Sequence, residues 1–246
     1  MRANLSKVQK QSLARKARGI ACIPLFGILF LLGSGNQAMA DLAHHSLFIK
    51  GDGSLHAMGH NSSSQLGTGN TAQKYSPTQI VASGIVQVAA GHKHSLILKS
   101  DGSLWAMGYN AQGQLGTGNT TDKNSPTQII DSGVIQIAAG AYHSLFIKTD
   151  GSLHAMGRNN YGQLGTGNMT DKTSPTQIVA FGVIQIAAGQ NHSLFLKTDG
   201  SLHAMGQNDK GQLGTGSTTD KNSPIQVVAS GVVQVVAGTY HSLFLK

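Results

Sequence analysis

A repeat of 49 residues constrains this chain more than any other feature of its sequence. The motif N-x-x-x-Q-L-G-T-G begins at Asn61, Asn110, Asn159 and Asn208, each 49 residues after the one before. A second marker, H-S-L, keeps the same spacing and begins at His45, His94, His143, His192 and His241. A fixed period in this range is typical of repeat architectures, in which each unit packs against its neighbours.

Each unit contains four short segments that favour β-strands. In the third unit they are GVIQIAAG (133–140), HSLFIK (143–148), SLHAMG (152–157) and PTQIVA (175–180). Asp150-Gly151 predicts a tight hairpin in which both central residues take positive φ, and the opening Pro175 fits the start of an edge strand. Helical periodicity is absent from the repeats, so the chain is predicted to be all-β. Four antiparallel strands per unit favour a β-propeller of about four blades over a β-solenoid.

The repeat also resembles a known family. G-x-x-H-S-L followed by D-G-S-L-x-A-x-G-x-N-x-x-G-Q-L-G-x-G is similar to the repeat of the regulator of chromosome condensation family, over essentially all of residues 41–246. Two positions depart from it. Where the family often has an aromatic residue, only Trp105 keeps one and His56, His154 and His203 take its place. Ser64 occupies the loop position of Gly113, Gly162 and Gly211.

The resemblance implies a propeller, and such propellers usually close seven blades. This chain holds four periods, 45–93, 94–142, 143–191 and 192–240, followed by a partial unit, 241–246. If four blades close, residues 232–238 should supply the missing first strand beside residues 45–50. If they do not, the propeller is open or partial and exposes strand edges, which invite pairing with another chain. We expect the partial form, with self-association as a consequence.

The first forty residues predict a secretory signal peptide. Residues 1–18 carry six basic side chains, residues 19–32 are apolar, and Ala38-Met39-Ala40 offers a small-x-small cleavage pattern. We therefore divide the chain into a signal peptide, 1–40, and a mature repeat domain, 41–246, and expect it to be secreted, periplasmic or on the cell surface. An uncleaved membrane anchor is the alternative. The lone cysteine, Cys22, lies in this segment.

The charge of the mature domain excludes several partners. Of the 18 basic residues, 12 lie after residue 40, against all 10 acidic residues, so the net charge falls from +8 to +2. Binding to nucleic acid requires a clustered basic face, which this balance does not provide. We therefore expect neither a nucleic-acid partner nor a membrane association of the mature chain.

No constellation of residues predicts catalysis, a cofactor or a metal. The histidines of the H-S-L marker occupy one repeated structural position, where we expect their side chains to bond the backbone of the turn. The LGTGN loops lack the Lys-Ser/Thr ending of a phosphate-binding loop, and no G-x-S-x-G nucleophile motif occurs. The chain is therefore predicted not to be an enzyme.

Variation among the units gathers in two short segments, the pair of residues before H-S-L and the residues flanking the loop asparagine. In a four-stranded antiparallel blade the first and third connections share one face, so both segments should lie together. Their residue types are common in binding surfaces, although neutral drift at loop tips is a nearly equal explanation. The candidate partner-binding residues are His60, His92, Lys93, Tyr109, Gln112, Tyr142, Arg158, Asn160, Tyr161, Gln190, Asn191, Gln207, Asp209, Lys210 and Tyr240.

The sequence thus predicts a secreted, non-enzymatic propeller that binds an unidentified protein through its variable loops. A structural or adhesive surface protein built from near-identical units is an alternative. The family resemblance implies two further activities, guanine-nucleotide exchange on a small GTPase or inhibition of a β-lactamase. Residues specific to either activity are not identifiable in this sequence.

Overall fold

The computed structural model describes residues 43–246, which form seventeen β-strands in five antiparallel sheets. Within this range no helix is long and apolar enough to cross a membrane. The predicted signal peptide, its cleavage site and Cys22 lie outside the described residues. The all-β prediction is confirmed.

The sheets follow one another along the chain, and in each the strands lie in sequence order. The first sheet has three strands, β1 (His45–Ile49), β2 (Leu55–Gly59) and β3 (Lys74–Val81). The second has β4 (Ile85–Ala90), β5 (His94–Lys99), β6 (Leu104–Gly108) and β7 (Lys123–Ile130). The third has β8 (Val134–Ala139), β9 (His143–Lys148), β10 (Leu153–Gly157) and β11 (Lys172–Val179). The fourth has β12 (Val183–Ala188), β13 (His192–Lys197), β14 (Leu202–Gly206) and β15 (Lys221–Val228), and the fifth has β16 (Gln234–Ala237) and β17 (Ser242–Leu245).

The hydrophobic core lies between neighbouring sheets. Leu96 and Leu98 of β5 pack with Phe146 of β9 and Met156 of β10, and all four side chains are buried. The first strands of successive sheets also lie against one another, and their A-A-G ends are small enough for this close approach. Each sheet therefore acts as one blade that needs its neighbour to bury an apolar face.

A buried hydrogen-bonded joint fastens each blade to the next. Ser144 Oγ donates to the carbonyl of Gln114 at 2.7 Å, and His94 Nε2 lies 3.0 Å from the same hydroxyl. Because the serine proton is given to the carbonyl, His94 Nε2 must carry a hydrogen and donate it. The same joint recurs as His45–Ser95–Gln65, His143–Ser193–Gln163 and His192–Ser242–Gln212.

This joint corrects the expectation that the marker histidines bond the backbone of their own turn. Their Nε2 atoms bond a serine hydroxyl of the following blade instead. Their Nδ1 atoms are buried without a hydrogen-bond partner among the described residues, as at His94 and His143. The reason is the packing of the blades, which sets the H-S-L strand of one unit against that of the next.

The hairpin and the outer strand also differ from prediction. Gly151 has φ of 75°, whereas Asp150 is not in the positive-φ region. Gly151 N bonds Lys148 O at 2.9 Å, which makes a three-residue loop with only the glycine left-handed. Asp150 is selected because its Oδ1 accepts the N–H of Ser152 at 2.9 Å. Pro175 lies in the edge strand β11, as predicted, but inside the strand and not at its start, at a bulge where the pairing register shifts.

The aromatic position of each blade behaves as a packing position, as expected. His154 stacks on Phe146 with ring centroids 4.9 Å apart, and its Nε2 lies 3.0 Å from Ser152 Oγ. Trp105 occupies the same slot in the second sheet and donates its indole N–H to Ser103 at 2.8 Å. Histidine and tryptophan are interchangeable here because both offer a flat ring and one donor to the same serine.

The propeller is open in the part of the chain that the structure describes. The closed alternative required residues 232–238 to pair with 45–50. Instead β16 pairs with β17, in the register Gln234↔Leu245, and the first sheet contains only β1, β2 and β3. The expectation of a partial propeller is therefore confirmed.

The loop glycines give the first prediction. Gly162 and Gly211 hold the same loop position with φ of 77° and 75°. A Cβ at Gly162 would overlap the backbone of Asn222 in the next sheet, whereas one at Gly211 would meet no atom within 4 Å. We expect Gly162→Ala to lower the free energy of unfolding by about 1–3 kcal/mol more than Gly211→Ala, because the backbone strain is shared and only the overlap differs. Urea denaturation compares the two, and equal losses would contradict the inter-blade contact.

The buried histidines give the second prediction. Burial lowers the pKa of His94 and His143 to about 3. It lowers the pKa of His45 and His192 to about 4. As the pH falls below about 6.5, these histidines bind protons in the unfolded chain but stay neutral in the folded chain. The free energy of unfolding therefore falls between about pH 6.5 and 4. Each such histidine lowers the free energy of unfolding by up to about 1.4 kcal/mol per pH unit in that window.

The measurement is the urea midpoint at pH 7, 6 and 5. We expect the urea midpoint to fall steeply as the pH is lowered. It should fall less steeply in His143→Gln, which removes one of the titrating side chains. A midpoint that does not change between pH 7 and 5 would show that these histidines are not held neutral in the folded chain.

Candidate functional site

The two variable segments of each blade lie side by side. The backbone N–H of Tyr109 bonds the carbonyl of Lys93, and that of Arg158 bonds the carbonyl of Tyr142, each at 2.9 Å. Gln207 and Asn191 are joined in the same way. The predicted sharing of one face by the first and third connections is therefore confirmed, and we call this surface the loop face.

A buried asparagine builds each loop that carries the variable residues. Asn110 is fully buried, and its Oδ1 accepts the N–H of Leu115 at 2.9 Å. Its Nδ2 lies 2.9–3.1 Å from acceptor atoms of Thr117, Asn119 and Thr121. The side chain thus satisfies loop backbone that no strand could pair. The constant residues therefore fix the conformation of the loop, and the variable residues lie at its exposed tip.

Variable side chains of the second and third blades enclose a groove. Its open volume is about 330 Å³, and it is lined by Lys93, Tyr109, Gln112, Tyr142, Arg158 and Asn160. All six were candidate residues from the sequence. The lining combines two cations, two phenol rings and two amides, and contains no carboxylate.

Aromatic rings connect the two cations of the groove. The Tyr109 and Tyr142 centroids are 6.1 Å apart in an edge-on arrangement. Lys93 Nζ lies 5.9 Å from the Tyr109 centroid, and Arg158 Cζ lies 5.9 Å and 5.7 Å from the centroids of Tyr142 and Tyr161. These separations are near the outer limit of a cation–π contact, so the rings hold the cations only loosely.

Histidines border the groove on the side of the first blade. His92 Nδ1 lies 2.6 Å from the Tyr142 hydroxyl. Burial, with the positive charges of His44 and Lys93 as lesser causes, lowers the pKa of His92. Burial also raises the pKa of Tyr142. Both groups are therefore neutral at pH 7, and one hydrogen bond joins the phenol to the imidazole.

His44 is a member of this cluster that the sequence reasoning missed. Its ring centroid lies 5.3 Å from that of His92 and 6.1 Å from that of His60. The period could have identified it, because His44 precedes the first H-S-L marker as Lys93 and Tyr142 precede the next two. The G-x-x-H pattern does not include His44, because Leu42 stands where the next two units have Gly91 and Gly140.

The remaining candidates do not line the groove. They belong to the connections of the fourth and fifth sheets, where two pairs are engaged with each other. Asn191 Nδ2 donates to Gln207 Oε1 at 2.9 Å, and Lys210 Nζ lies 3.2 Å from Asp209 Oδ2. Gln190 is half-buried and Tyr240 is 48% exposed. The loop face therefore has an aromatic, cationic part and a separate amide-rich part.

Neither a metal-binding cluster nor the second depression marks a functional site in the described residues. Across residues 43–246, no group of three or more His, Cys, Asp or Glu residues could hold a metal ion. A wider depression of about 470 Å³ lies between the first and second blades, lined by Gly67, Gly69, Ser125 and Pro126 among others. Most of its lining types recur in every unit, so it is a feature of the repeat and does not single out one place on the molecule.

Comparison with known proteins adds a family and several structures. The model of a family described as RCC1-like domain matches residues 31–246. The structure of human WBSCR16 is similar with a TM-score of 0.73 and 27% identity, over 82% of this chain and 55% of that one. Saccharomyces cerevisiae Prp20p, whose binding to Gsp1p and histones has been studied, has a TM-score of 0.72 and 22% identity, over 82% and 53%. Yeast RCC1 (Prp20) in complex with Kap60 gives 0.72 and 23%, over 81% and 51%.

The chain thus spans about half the length of these solved structures. A search of curated protein sequences gives no match.

Proposed function

The chain belongs to the RCC1-like domain family, and from that premise we propose that it is a non-enzymatic module that binds another protein through its loop face. The observation that carries the proposal is the convergence of six variable side chains on one groove, while the loops that hold them stay constant. The loops place tyrosines and cations of two blades around that single concavity, and aromatic residues and arginine are the types that anchor protein interfaces.

The partners of related propellers do not identify the partner of this one. Gsp1p, histones and Kap60 are associated with Prp20p, and at 22–23% identity that likeness carries the fold alone. Support for a binding role comes from the residue types, since tyrosine and arginine dominate the energetics of protein interfaces. Support for a non-enzymatic role comes from the groove lining, where neither a carboxylate nor a nucleophile faces the cations.

The third prediction tests this function. Capture from an extract of the source organism on immobilised chain should recover a specific protein. A variant with Tyr109, Tyr142, Arg158, Tyr161 and Tyr240 changed to alanine should lose it, because the aromatic anchors of the loop face are removed. The matched control changes Phe181, which is 71% exposed in the connection between β11 and β12 on the face opposite the loop face, to alanine. Identical proteins bound by all three forms would contradict the proposal.

A second function, assembly with other copies, is favoured by the fifth sheet. Leu243, Phe244 and Leu245 of β17 are 46–60% exposed, whereas Leu194, Phe195 and Leu196 at the same positions in β13 are 1% exposed. The difference arises because a following blade covers β13 and none covers β17 among the described residues.

The first sheet of another copy has the side chains to cover it. Every blade joint pairs a marker histidine with a serine of the following sheet, and at the two ends His241 and Ser46 are both exposed. A second copy docked head to tail would place Ser46 opposite His241 by the same rule. Such a contact is heterologous, so it extends an arc or closes a ring.

We also propose that the module acts outside the cytoplasm, on the strength of the N-terminal sequence alone. The fourth prediction joins this to assembly, because one purified sample answers both. N-terminal sequencing should begin at Asp41, and sedimentation should show a mass that rises with concentration. Phe244→Lys should keep the chain monomeric, whereas Phe181→Lys should not, because Phe181 lies in the connection between β11 and β12 and belongs to neither end sheet. A start at Met1 would overturn export, and a monomer at all concentrations would overturn assembly.

A further inference from the structure

We propose that the groove between the second and third blades binds an acidic segment of the partner protein, with carboxylates placed against Lys93 and Arg158. This inference rests on the proposed binding function and adds the chemistry of the partner. It follows from the charge, the geometry and the hydrogen-bonding capacity of the six lining residues.

The charge of the groove is not balanced within the chain. Within residues 43–246 the only ion pair shorter than 4 Å is Lys210–Asp209, so Lys93 and Arg158 have no carboxylate partner there. Two aspartates of the same loops direct their carboxylates at backbone N–H groups of those loops and form an ion pair with neither cation. Asp122 accepts the N–H of Asn110, and Asp171 accepts that of Asn159, each at 2.7 Å. An incoming carboxylate would therefore meet two uncompensated cations.

The position of the rings keeps these cations available. Lys93 and Arg158 lie 5.7–5.9 Å from the tyrosine centroids, so the rings hold them only loosely and leave their N–H donors free. A guanidinium has five N–H donors in a planar fork and binds a carboxylate through two of them. Tyr109 and Tyr142 are half-buried and shield one side of such a pair from solvent, while the other side stays open.

The shape of the groove favours an extended peptide over other anions. Lys93 lies against Tyr109 and Arg158 against Tyr142, and the two ring centroids are 6.1 Å apart, close to the spacing of about 7 Å between alternate side chains of an extended strand. Gln112 and Asn160 each offer an amide donor and acceptor to a peptide backbone. A polyphosphate should bind less tightly than such a peptide. Binding to nucleic acid depends on many phosphate contacts, and the mature domain has a net charge of only +2.

The test uses the peptide Ac-Gly-Glu-Gly-Glu-Gly-Glu-Gly-NH2 and its counterpart with glutamine at the three acidic positions. Binding to the purified chain is followed by NMR titration. We expect saturable binding of the acidic peptide, about tenfold weaker binding of the neutral one, and weakening by added salt. Lys93→Gln and Arg158→Gln should each raise the Kd about three- to fivefold, the range of an exposed charge pair.

Lys210→Gln is the matched control, because it removes a cation of the same face one blade away and should leave the Kd unchanged. Near-ultraviolet circular dichroism, which reports on Trp105, shows that each variant is folded. Equal binding of the two peptides, or an equal loss in Lys210→Gln, would overturn the proposal. Tighter binding of a thymidine oligonucleotide of equal charge, lost in the same two variants, would overturn it in favour of nucleic acid.

Failure of this inference is distinguishable from failure of the proposed function. If the captured protein still depends on the tyrosines but binds Lys93→Gln and Arg158→Gln normally, the binding function stands and the acidic partner is wrong. If the acidic peptide binds through both cations while no protein is captured, the chemistry of the groove stands and the proposed function is wrong.

Discussion

The structure depends on a buried joint that is repeated from blade to blade. A neutral histidine of one unit donates to a serine of the next, and that serine donates to a glutamine carbonyl in the loop of the first. Bonds of this kind contribute little over water when formed but cost much when left unmade in a dry interface. The joint therefore fixes the spacing and angle of neighbouring sheets, and the hydrophobic faces pack at the geometry that it allows.

The same joint links stability to the loop face. Gln114, whose carbonyl completes the joint at Ser144, lies in the loop held by the buried Asn110, and its own side chain accepts the N–H of Gln112. Gln112, which lines the groove, is therefore held by a loop whose position is fixed by the packing of the blades. Because only constant residues hold the loop in place, the residues at its tip can differ between blades without loss of the fold. Chemistry can therefore vary from blade to blade on one rigid surface.

Much of this could be predicted from the sequence, and the errors have physical causes. Strand positions followed from short-range patterns, and the loop face followed from antiparallel connectivity. The form of the hairpin at Asp150 was wrong because an aspartate bond to Ser152 N–H selects a three-residue loop. The partner of His94 was wrong because it belongs to another blade. His44 was missed because Leu42 replaces the glycine of the G-x-x-H pattern before the first marker.

The sequence by itself determined the repeat, the strands within each unit, and the face on which the variable residues gather, since all of these depend on contacts within 49 residues. Tertiary structure alone decided that the described blades form an open arc, and that Lys93, Tyr142 and Arg158 surround one groove while Asn191 and Gln207 bond each other. The reason is that hydrogen-bond patterns along a strand are local. The relation between blades depends on side chains that meet only after each sheet has formed.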